Sequence, residues 1–111
     1  MTPVLAKLGK MKKLSLSHNQ IREVSYISDL FYLHELKLND NKIRNLPETL
    51  AKNVRLEILD LGNNQIREYD DIKILAQLKG LKNLNLKGNP ITQKSSYPDQ
   101  LYVMCPFIRV S

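Results

Sequence analysis

The chain has 111 residues, of which 42% are hydrophobic and 25% are charged, proportions that fit one globular domain with a real core. No apolar run approaches the roughly 18 residues that a membrane span requires, and a single cysteine argues against a disulfide-stapled secreted fold. The net charge of +6 combines basic ends with an acidic centre over residues 23–72, a distribution that does not suit one uniform nucleic-acid groove. We therefore expect an intracellular domain, in the cytoplasm or the nucleus, without membrane association.

The predicted elements begin in the middle of a repeat. Leu5, Leu8 and Met11 have the three-residue spacing that precedes each later repeat. Residues 1–10 are expected to form a half-repeat over the first edge of the sheet, because solenoids normally cover that edge. The mid-repeat start leaves an alternative open, in which the chain is a non-catalytic recognition domain of a larger enzyme or of a signalling or cytoskeletal protein.

Four segments then follow the pattern Leu-x-x-Leu-x-Leu-x-x-Asn-x-Ile, the first with Met at its opening position. Successive strand side chains point to opposite faces, so each Leu-x-Leu pair faces a common core while its neighbours face away. Stacking these segments predicts a parallel sheet with strands about 4.8 Å apart. The asparagines, spaced 22, 23 and 25 residues apart, are expected to be structural and to bond backbone groups of their own turn and of the next repeat; they are Asn19, Asn41, Asn64 and Asn89.

Between each asparagine and the next strand, the apolar residues recur at every third position, as in Ile21, Val24 and Ile27. This period predicts a convex side of 3-10 or short α-helical turns. In the second repeat, Pro47 excludes an early helix, and Leu50 and Val54 are expected to fill the core instead.

This combination resembles the 22-residue, SDS-type leucine-rich repeats of intracellular eukaryotic proteins, over about residues 5–92. Gly88-Asn89-Pro90-Ile91 has the form of a last repeat in that family. The run from Tyr97 through Cys105-Pro106 to Ile108 is similar to the family's C-terminal cap, which consists of a helix, a proline and a final strand. Family members bind proteins on the concave sheet or its rims, so the resemblance implies a recognition scaffold.

The expected fold is a right-handed α/β leucine-rich repeat solenoid, with a short parallel sheet of four to five strands and 3-10 or short helices on its convex side. We expect one domain over residues 1–111. Its divisions are the half-repeat 1–10, the repeats 11–32, 33–55, 56–80 and 81–92, and the cap 93–111.

Strand alternation selects the residues of the concave face, which we predict to bind a partner. Ile58 is the one large apolar side chain expected to point outward there, either as an anchor for a partner or as an ordinary exposed isoleucine. The predicted partner-binding residues are Lys13, Ser15, Glu35, Lys37, Asn39, Ile58, Asp60, Asn83, Asn85 and Lys87.

An arginine follows the asparagine turn in three repeats, at Arg22, Arg44 and Arg67. Stacking would align these side chains roughly 5 Å apart, as a rim that meets an acidic partner or an RNA phosphate. The alternative interpretation is a solvated column that is balanced by nearby acids, which are Glu23, Glu68, Asp70 and Asp71.

The aromatic residues are divided between the convex turns and the C-terminal cap. A stacking platform for single-stranded RNA would need aromatics in one groove with basic neighbours. Because the sequence scatters them, we expect packing against the core for Tyr26, Phe31, Tyr32, Tyr97, Tyr102 and Phe107, with Tyr26 and Tyr32 the most exposed.

No residue pattern indicates catalysis. His18 and Asp40 occupy equivalent positions and are expected to touch, but no nucleophile joins them, and Cys105 lies in apolar sequence where a thiol packs as a small hydrophobe. Two histidines and one cysteine, far apart, make no metal site, and no phosphate-binding loop occurs. We predict a scaffold with a protein partner and no cofactor; the alternative is an RNA-associated scaffold within a ribonucleoprotein particle.

Overall fold

The computed structural model describes residues 10–111, and all but the last residue of the predicted half-repeat 1–10 lie outside the described residues. Five parallel strands form one sheet in chain order, β1-β2-β3-β4-β5. The chain is therefore an α/β solenoid, as predicted, and its fifth strand comes from the C-terminal segment. The strands are β1 (Lys13–Ser15), β2 (Glu35–Lys37), β3 (Ile58–Asp60), β4 (Asn83–Asn85) and β5 (Arg109–Val110).

The register of the sheet follows the leucine pattern. The central leucine of each strand lies beside the same residue of the next strand, from Leu14 through Leu36 and Leu59 to Leu84. The last three of these side chains are at most 1% exposed. The strand residues on either side of each central leucine consequently face away from the core, which creates the columns of the concave surface.

The convex side consists of 3-10 helices over Ser25–Ile27, Glu48–Lys52, Tyr69–Gln77 and Pro90–Gln93, followed by one α-helix, α1 (Asp99–Met104). The three-residue apolar period therefore predicted the helix type correctly. Within the described part of the chain, none of these helices has the length and apolar character needed to cross a membrane.

The second repeat departs from the prediction at one core position. Its 3-10 helix starts directly after Pro47, and Leu50 is buried as expected, but Val54 is 66% exposed. The inward place is taken by Asn53, which is fully buried and donates from Nδ2 to the carbonyls of Ile27 (3.2 Å) and Leu30 (2.9 Å). An amide that bonds two backbone carbonyls of the preceding repeat therefore occupies the site where a valine was expected.

The asparagine ladder connects each repeat to the one before it, whereas we expected bonds to the next repeat. Asn41 Nδ2 donates to Leu16 O (2.9 Å) in the preceding turn and to Leu38 O (3.0 Å) in its own, while Asn41 Oδ1 accepts from Ile21 N (3.1 Å). The ladder runs backward because, in the parallel stack, the backbone N–H and C=O groups of one turn face the asparagine side chain of the following repeat. The same arrangement recurs at Asn64 and Asn89.

The prediction that the aromatic side chains pack against the core was wrong for most of them. Tyr97 is partly buried, but five others are exposed because each stands next to a buried or partly buried core residue instead of occupying an inward position. The exposed aromatic side chains are Tyr26 (59%), Phe31 (49%), Tyr32 (42%), Tyr102 (38%) and Phe107 (87%).

Candidate binding surfaces

The concave face presents the predicted side chains in ordered columns across the sheet. The strand register pairs Lys13 with Glu35, Glu35 with Ile58, and Ile58 with Asn83, and β5 adds Arg109 to this column. The next column contains Ser15, Lys37, Asp60 and Asn85. The structure thus brings the sequence-selected residues of the strands together on one face.

A hydrogen-bonded chain of polar side chains spans the first two repeats at the strand ends. Ser15 Oγ lies 3.1 Å from Ser17 Oγ, and the Ser17 hydroxyl donates to Asn39 Oδ1 at 2.6 Å. Asn39 Nδ2 in turn donates to Asp40 Oδ2 at 3.0 Å. The side chains of this region are held in place by one another before any partner arrives, which lowers the entropy cost of binding.

A second network holds the floor of the concave face between the third and fourth repeats. Asp60 Oδ1 accepts hydrogen bonds from Gly62 N and from Asn85 Nδ2, both at 2.9 Å. A β-carbon on Gly62 would lie 2.8 Å from Asn85 Nδ2 and 3.2 Å from Asp60 Oδ1. Glycine at this position therefore allows the carboxylate and the amide to pair.

Ile58 lies between Glu35 and Asn83 on the concave face and is half-buried. It is less accessible than the sequence suggested. The large apolar side chains that are exposed lie outside the sheet. Lys37 and Lys87, by contrast, are exposed. The face combines one partly accessible apolar group with exposed cations over a hydrogen-bonded polar floor, which suits recognition of a macromolecular surface.

The strand exits turn through left-handed backbone positions at His18, Asp40, Asn63 and Gly88, whose φ angles are 61°, 60°, 54° and 80°. His18 Nδ1 lies 2.9 Å from Asp40 Oδ2, so the predicted contact is present. The neighbouring Ser17 hydroxyl donates to Asn39 instead of to the imidazole. The His–Asp pair therefore links two adjacent turns and, in this arrangement, activates no nucleophile.

Arg22, Arg44 and Arg67 are exposed and line two adjoining shallow clefts of about 290 and 410 Å³. Arg44 Nε donates to Gln65 Oε1 at 3.3 Å, and within residues 10–111 none of the three arginines forms an ion pair.

Of the acids expected to balance this column, Glu68 pairs with Lys94 at 3.0 Å, and Glu23 accepts hydrogen bonds from Ser25, which lower the pKa of the Glu23 carboxyl. Asp71, by contrast, lines the second cleft together with Arg44 and Arg67. The three arginines are exposed, with one acid beside two of them.

A third surface lies where the strands begin, and the sequence reasoning missed it. Lys12, Lys13, Tyr32, His34 and Arg55 line a groove of about 390 Å³, which we call the strand-start groove. Tyr32 and Arg55 are offset by the same 23 residues as the register partners of β2 and β3, so they occupy equivalent positions in adjacent repeats. The repeat alignment itself could have revealed this pairing.

Contacts in the strand-start groove join an aromatic ring to cations. The guanidinium carbon of Arg55 lies 4.5 Å from the centroid of the Tyr32 ring. His34 Nε2 lies 2.7 Å from Glu57 Oε2, and Lys82 Nζ lies 3.0 Å from Glu57 Oε1. The Lys82 hydrogen bond, with a smaller effect of His34, lowers the pKa of Glu57 and keeps this carboxylate ionised and paired.

The positions of the remaining reactive groups favour packing. Cys105 is 6% exposed, and burial raises the pKa of its thiol, with a smaller opposing effect of Lys79. Among residues 10–111, no three His, Cys, Asp or Glu side chains come together in a way that could hold a metal ion.

A parallel sheet of stacked repeats with open columns of side chains on one face defines a solenoid repeat protein. The chain belongs to the leucine-rich repeat family, whose sequence model matches residues 2–111. It is 33% identical over 113 residues to a probable U2 small nuclear ribonucleoprotein A′ of Caenorhabditis elegans, in a match that covers 97% of this chain and 45% of that protein.

Solved structures are similar over the whole described fold. A leucine-rich repeat protein of Leptospira interrogans has a TM-score of 0.82 and 31% identity, covering 100% of this chain and 28% of its own. A chain of the SNF/U2A′ complex of Drosophila melanogaster has a TM-score of 0.88 and 26% identity, covering 99% of this chain and 64% of its own. The chain therefore spans less than two thirds of the length of each of these relatives.

Proposed function

We propose that the chain is a protein-recognition scaffold that binds a macromolecular partner through its concave sheet and the adjoining rim. The observation that carries this proposal is that alternate side chains of each strand face opposite sides of the sheet. The leucines are buried in the core. The side chains between them lie on one open face, where some form hydrogen-bonded networks and others are exposed lysines. The contact residues are those predicted from strand alternation, with Arg22, Arg44 and Arg67 at the rim.

We infer that the chain acts by binding and not by catalysis, because its reactive side chains are occupied structurally, as the Asp40 contacts and the burial of Cys105 illustrate. The repeat spacing and the α1–β5 segment support membership of the SDS-type subgroup, with residues 93–111 as its C-terminal cap. We also propose that residues 1–111 form one domain with the divisions given above.

A second candidate function is a scaffold within a ribonucleoprotein particle. The relative from Caenorhabditis elegans is described as a small nuclear ribonucleoprotein component, and the Drosophila melanogaster structure is a complex of SNF with U2A′. The exposed arginine rim favours this candidate, since unpaired cations attract phosphates. Location in the nucleus accords with this proposal, whereas a cytoplasmic protein partner accords equally with the first one.

The concave proposal is tested by affinity capture from a cell lysate, with and without RNase, followed by binding measurements on the captured protein after its purification. We expect Ile58→Asp to weaken binding by roughly tenfold or more, because a charge would replace the only large apolar group of the face. Ile58→Asp combined with Lys37→Glu should weaken it further. Lys52→Glu, on the convex side, is the matched control and should leave the affinity unchanged.

Two outcomes would assign recognition elsewhere. If both concave variants keep their far-ultraviolet circular dichroism spectra and still bind as tightly as the original chain, the concave face is not the recognition surface. If RNase abolishes capture and the purified proteins do not bind each other, the contact depends on RNA and the ribonucleoprotein candidate replaces direct protein recognition.

A further inference from the structure

We propose that the strand-start groove is a binding site for single-stranded RNA, in which a base stacks on the Tyr32–Arg55 pair and the adjacent backbone phosphates contact Lys12 and Lys13. This site adjoins the concave columns at Lys13 and is separate from the arginine rim. It extends the proposed function from a surface for one protein partner to a second surface that holds nucleic acid.

The stacking half of the site rests on the geometry of two adjacent repeats. Tyr32 is 42% exposed although one face of its ring is already covered by the Arg55 guanidinium at 4.5 Å. Bases of single-stranded RNA stack on aromatic rings and on guanidinium planes. The Arg55 contact holds both flat groups at the mouth of the groove, so the stack is already ordered before a base is added.

The electrostatic half of the site rests on unopposed charge. Lys12, Lys13 and Arg55 are exposed, and within residues 10–111 none of them forms an ion pair. No carboxylate lines the groove. Glu35 is the register partner of Lys13 but forms no ion pair with it.

Glu57, which lies at the start of β3, is neutralised by its own contacts. Glu57 is held between His34 at 2.7 Å and Lys82 at 3.0 Å. The groove therefore presents net positive charge next to an aromatic platform, within a volume of about 390 Å³, a size common among sites for small ligands.

The combination distinguishes single-stranded RNA from two other anionic partners. A duplex keeps its bases stacked inside and offers only phosphates and groove edges, so it makes no use of an exposed ring. An acidic peptide can pair its carboxylates with lysines and arginines, and it needs no aromatic ring on which to stack. The arginine rim, which has cations but no aromatic side chain lining its clefts, is the surface on this molecule that suits charge alone.

The test measures fluorescence anisotropy of the purified 111-residue chain with a labelled single-stranded RNA of roughly ten nucleotides. Losing one stacked base should weaken binding by about 5- to 150-fold in Tyr32→Leu, whereas Tyr32→Phe should bind as the original chain does. Tyr26→Leu, which removes an exposed tyrosine outside the groove, is the matched control and should also bind normally.

The charge contribution is read from salt dependence. Replacing Lys12 and Lys13 by Ala should reduce the slope of log affinity against log salt concentration by about 1.4, since each phosphate contact contributes about 0.7 for single strands. Lys52→Ala, on the convex side, should leave the slope unchanged. Thermal unfolding of each variant verifies that the fold persists, and Arg55→Lys, which keeps the charge but removes the flat group, provides a second stacking variant.

Three results would overturn the proposal. The first is that folded Tyr32→Leu binds the RNA as tightly as the original chain does. The second is that the original chain binds a duplex of the same sequence as tightly as the single strand. The third is that a polyglutamate peptide displaces the RNA and binds Tyr32→Leu and the original chain equally well. The last result would assign the groove to an acidic protein segment. None of the three depends on concave protein binding, because the assay contains only the chain, RNA and competitor.

Discussion

Gly88 lies against Asn63 so closely that a β-carbon built on the glycine would come 2.0 Å from Asn63 Oδ1. The two residues occupy the same left-handed position in successive turns, with φ angles of 80° and 54°. Earlier turns use His18 and Asp40 at this position. The last turn differs because the side chain of the preceding repeat fills the space that a β-carbon would need.

We predict that Gly88→Ala lowers the free energy of unfolding by about 1–3 kcal/mol, since it combines a clash with a left-handed backbone angle that alanine disfavours. Urea denaturation monitored by circular dichroism measures the change. Adding Asn63→Gly should recover the part that is due to the clash. A stability equal to that of the original chain in the single variant would contradict the packing described for this turn.

The ladder asparagines differ in burial, which provides a matched pair of variants. Asn64 is 6% exposed and makes bonds to Leu38 O, Leu61 O and Ile43 N. Asn64→Ala leaves the buried Ile43 N–H without its acceptor, whereas Leu38 O and Leu61 O keep Asn41 and Asn89 as donors. We therefore expect a loss of about 1–3 kcal/mol in unfolding free energy.

Asn19 serves as the comparison for this ladder variant. It is exposed, and its amide donates to Leu16 O and Ser17 O. Water can replace those bonds, so Asn19→Ala should cost about 1 kcal/mol or less. Equal losses at Asn19 and Asn64 in parallel urea titrations would show that burial does not control the contribution of this ladder.

The Glu57 carboxylate should make stability depend on pH in the acidic range. Because Lys82 and His34 lower its pKa in the folded chain below the ordinary value of 4.5, Glu57 stabilises the fold above that pH. The contribution is lost as pH falls through the folded-state pKa. The stability difference between the original chain and Glu57→Gln should therefore shrink on acidification below 4.5, and a difference that stays constant from neutral to acidic pH would contradict it.

Cys105 should behave as a protected thiol. Burial raises its pKa and leaves only 6% of the residue accessible, so the folded chain presents little thiolate at neutral pH. We expect an aromatic disulfide reagent to react roughly tenfold or more slowly with the folded chain than with the urea-unfolded chain. Equal rates in the two states would show that the segment around Cys105 opens readily.

The sequence predicted those parts of the fold in which periodicity dictates side-chain direction. Leu36, Leu59 and Leu84 are buried because strand alternation leaves each only one apolar environment. Val54 lies in the turn just before β3, where the polar Asn53 takes the inward place. The bonds of Asn53 to two carbonyls of the preceding repeat, and the contact of Arg55 with Tyr32, are tertiary contacts that have no signature in hydrophobic spacing.

The candidate sites divide in the same way. The concave columns follow from two-residue alternation, so Lys37, Asp60 and Asn85 could be placed together before the structure was known. The accessibility of Ile58 could not be predicted, because it depends on how neighbouring long side chains settle over the sheet. The strand-start groove combines residues from two adjacent repeats. The repeat alignment pairs Tyr32 with Arg55, but only the stacked loops show that Lys12 and Lys13 line the same groove.

Because each asparagine of the ladder bonds to the repeat before it, the repeats of a newly synthesised chain are completed in order from the N-terminus. The Ile21 N–H acquires its side-chain acceptor only when Asn41 has been made, and the Ile43 N–H acquires its acceptor only with Asn64. A nascent chain can therefore close each turn only after most of the next repeat has left the ribosome.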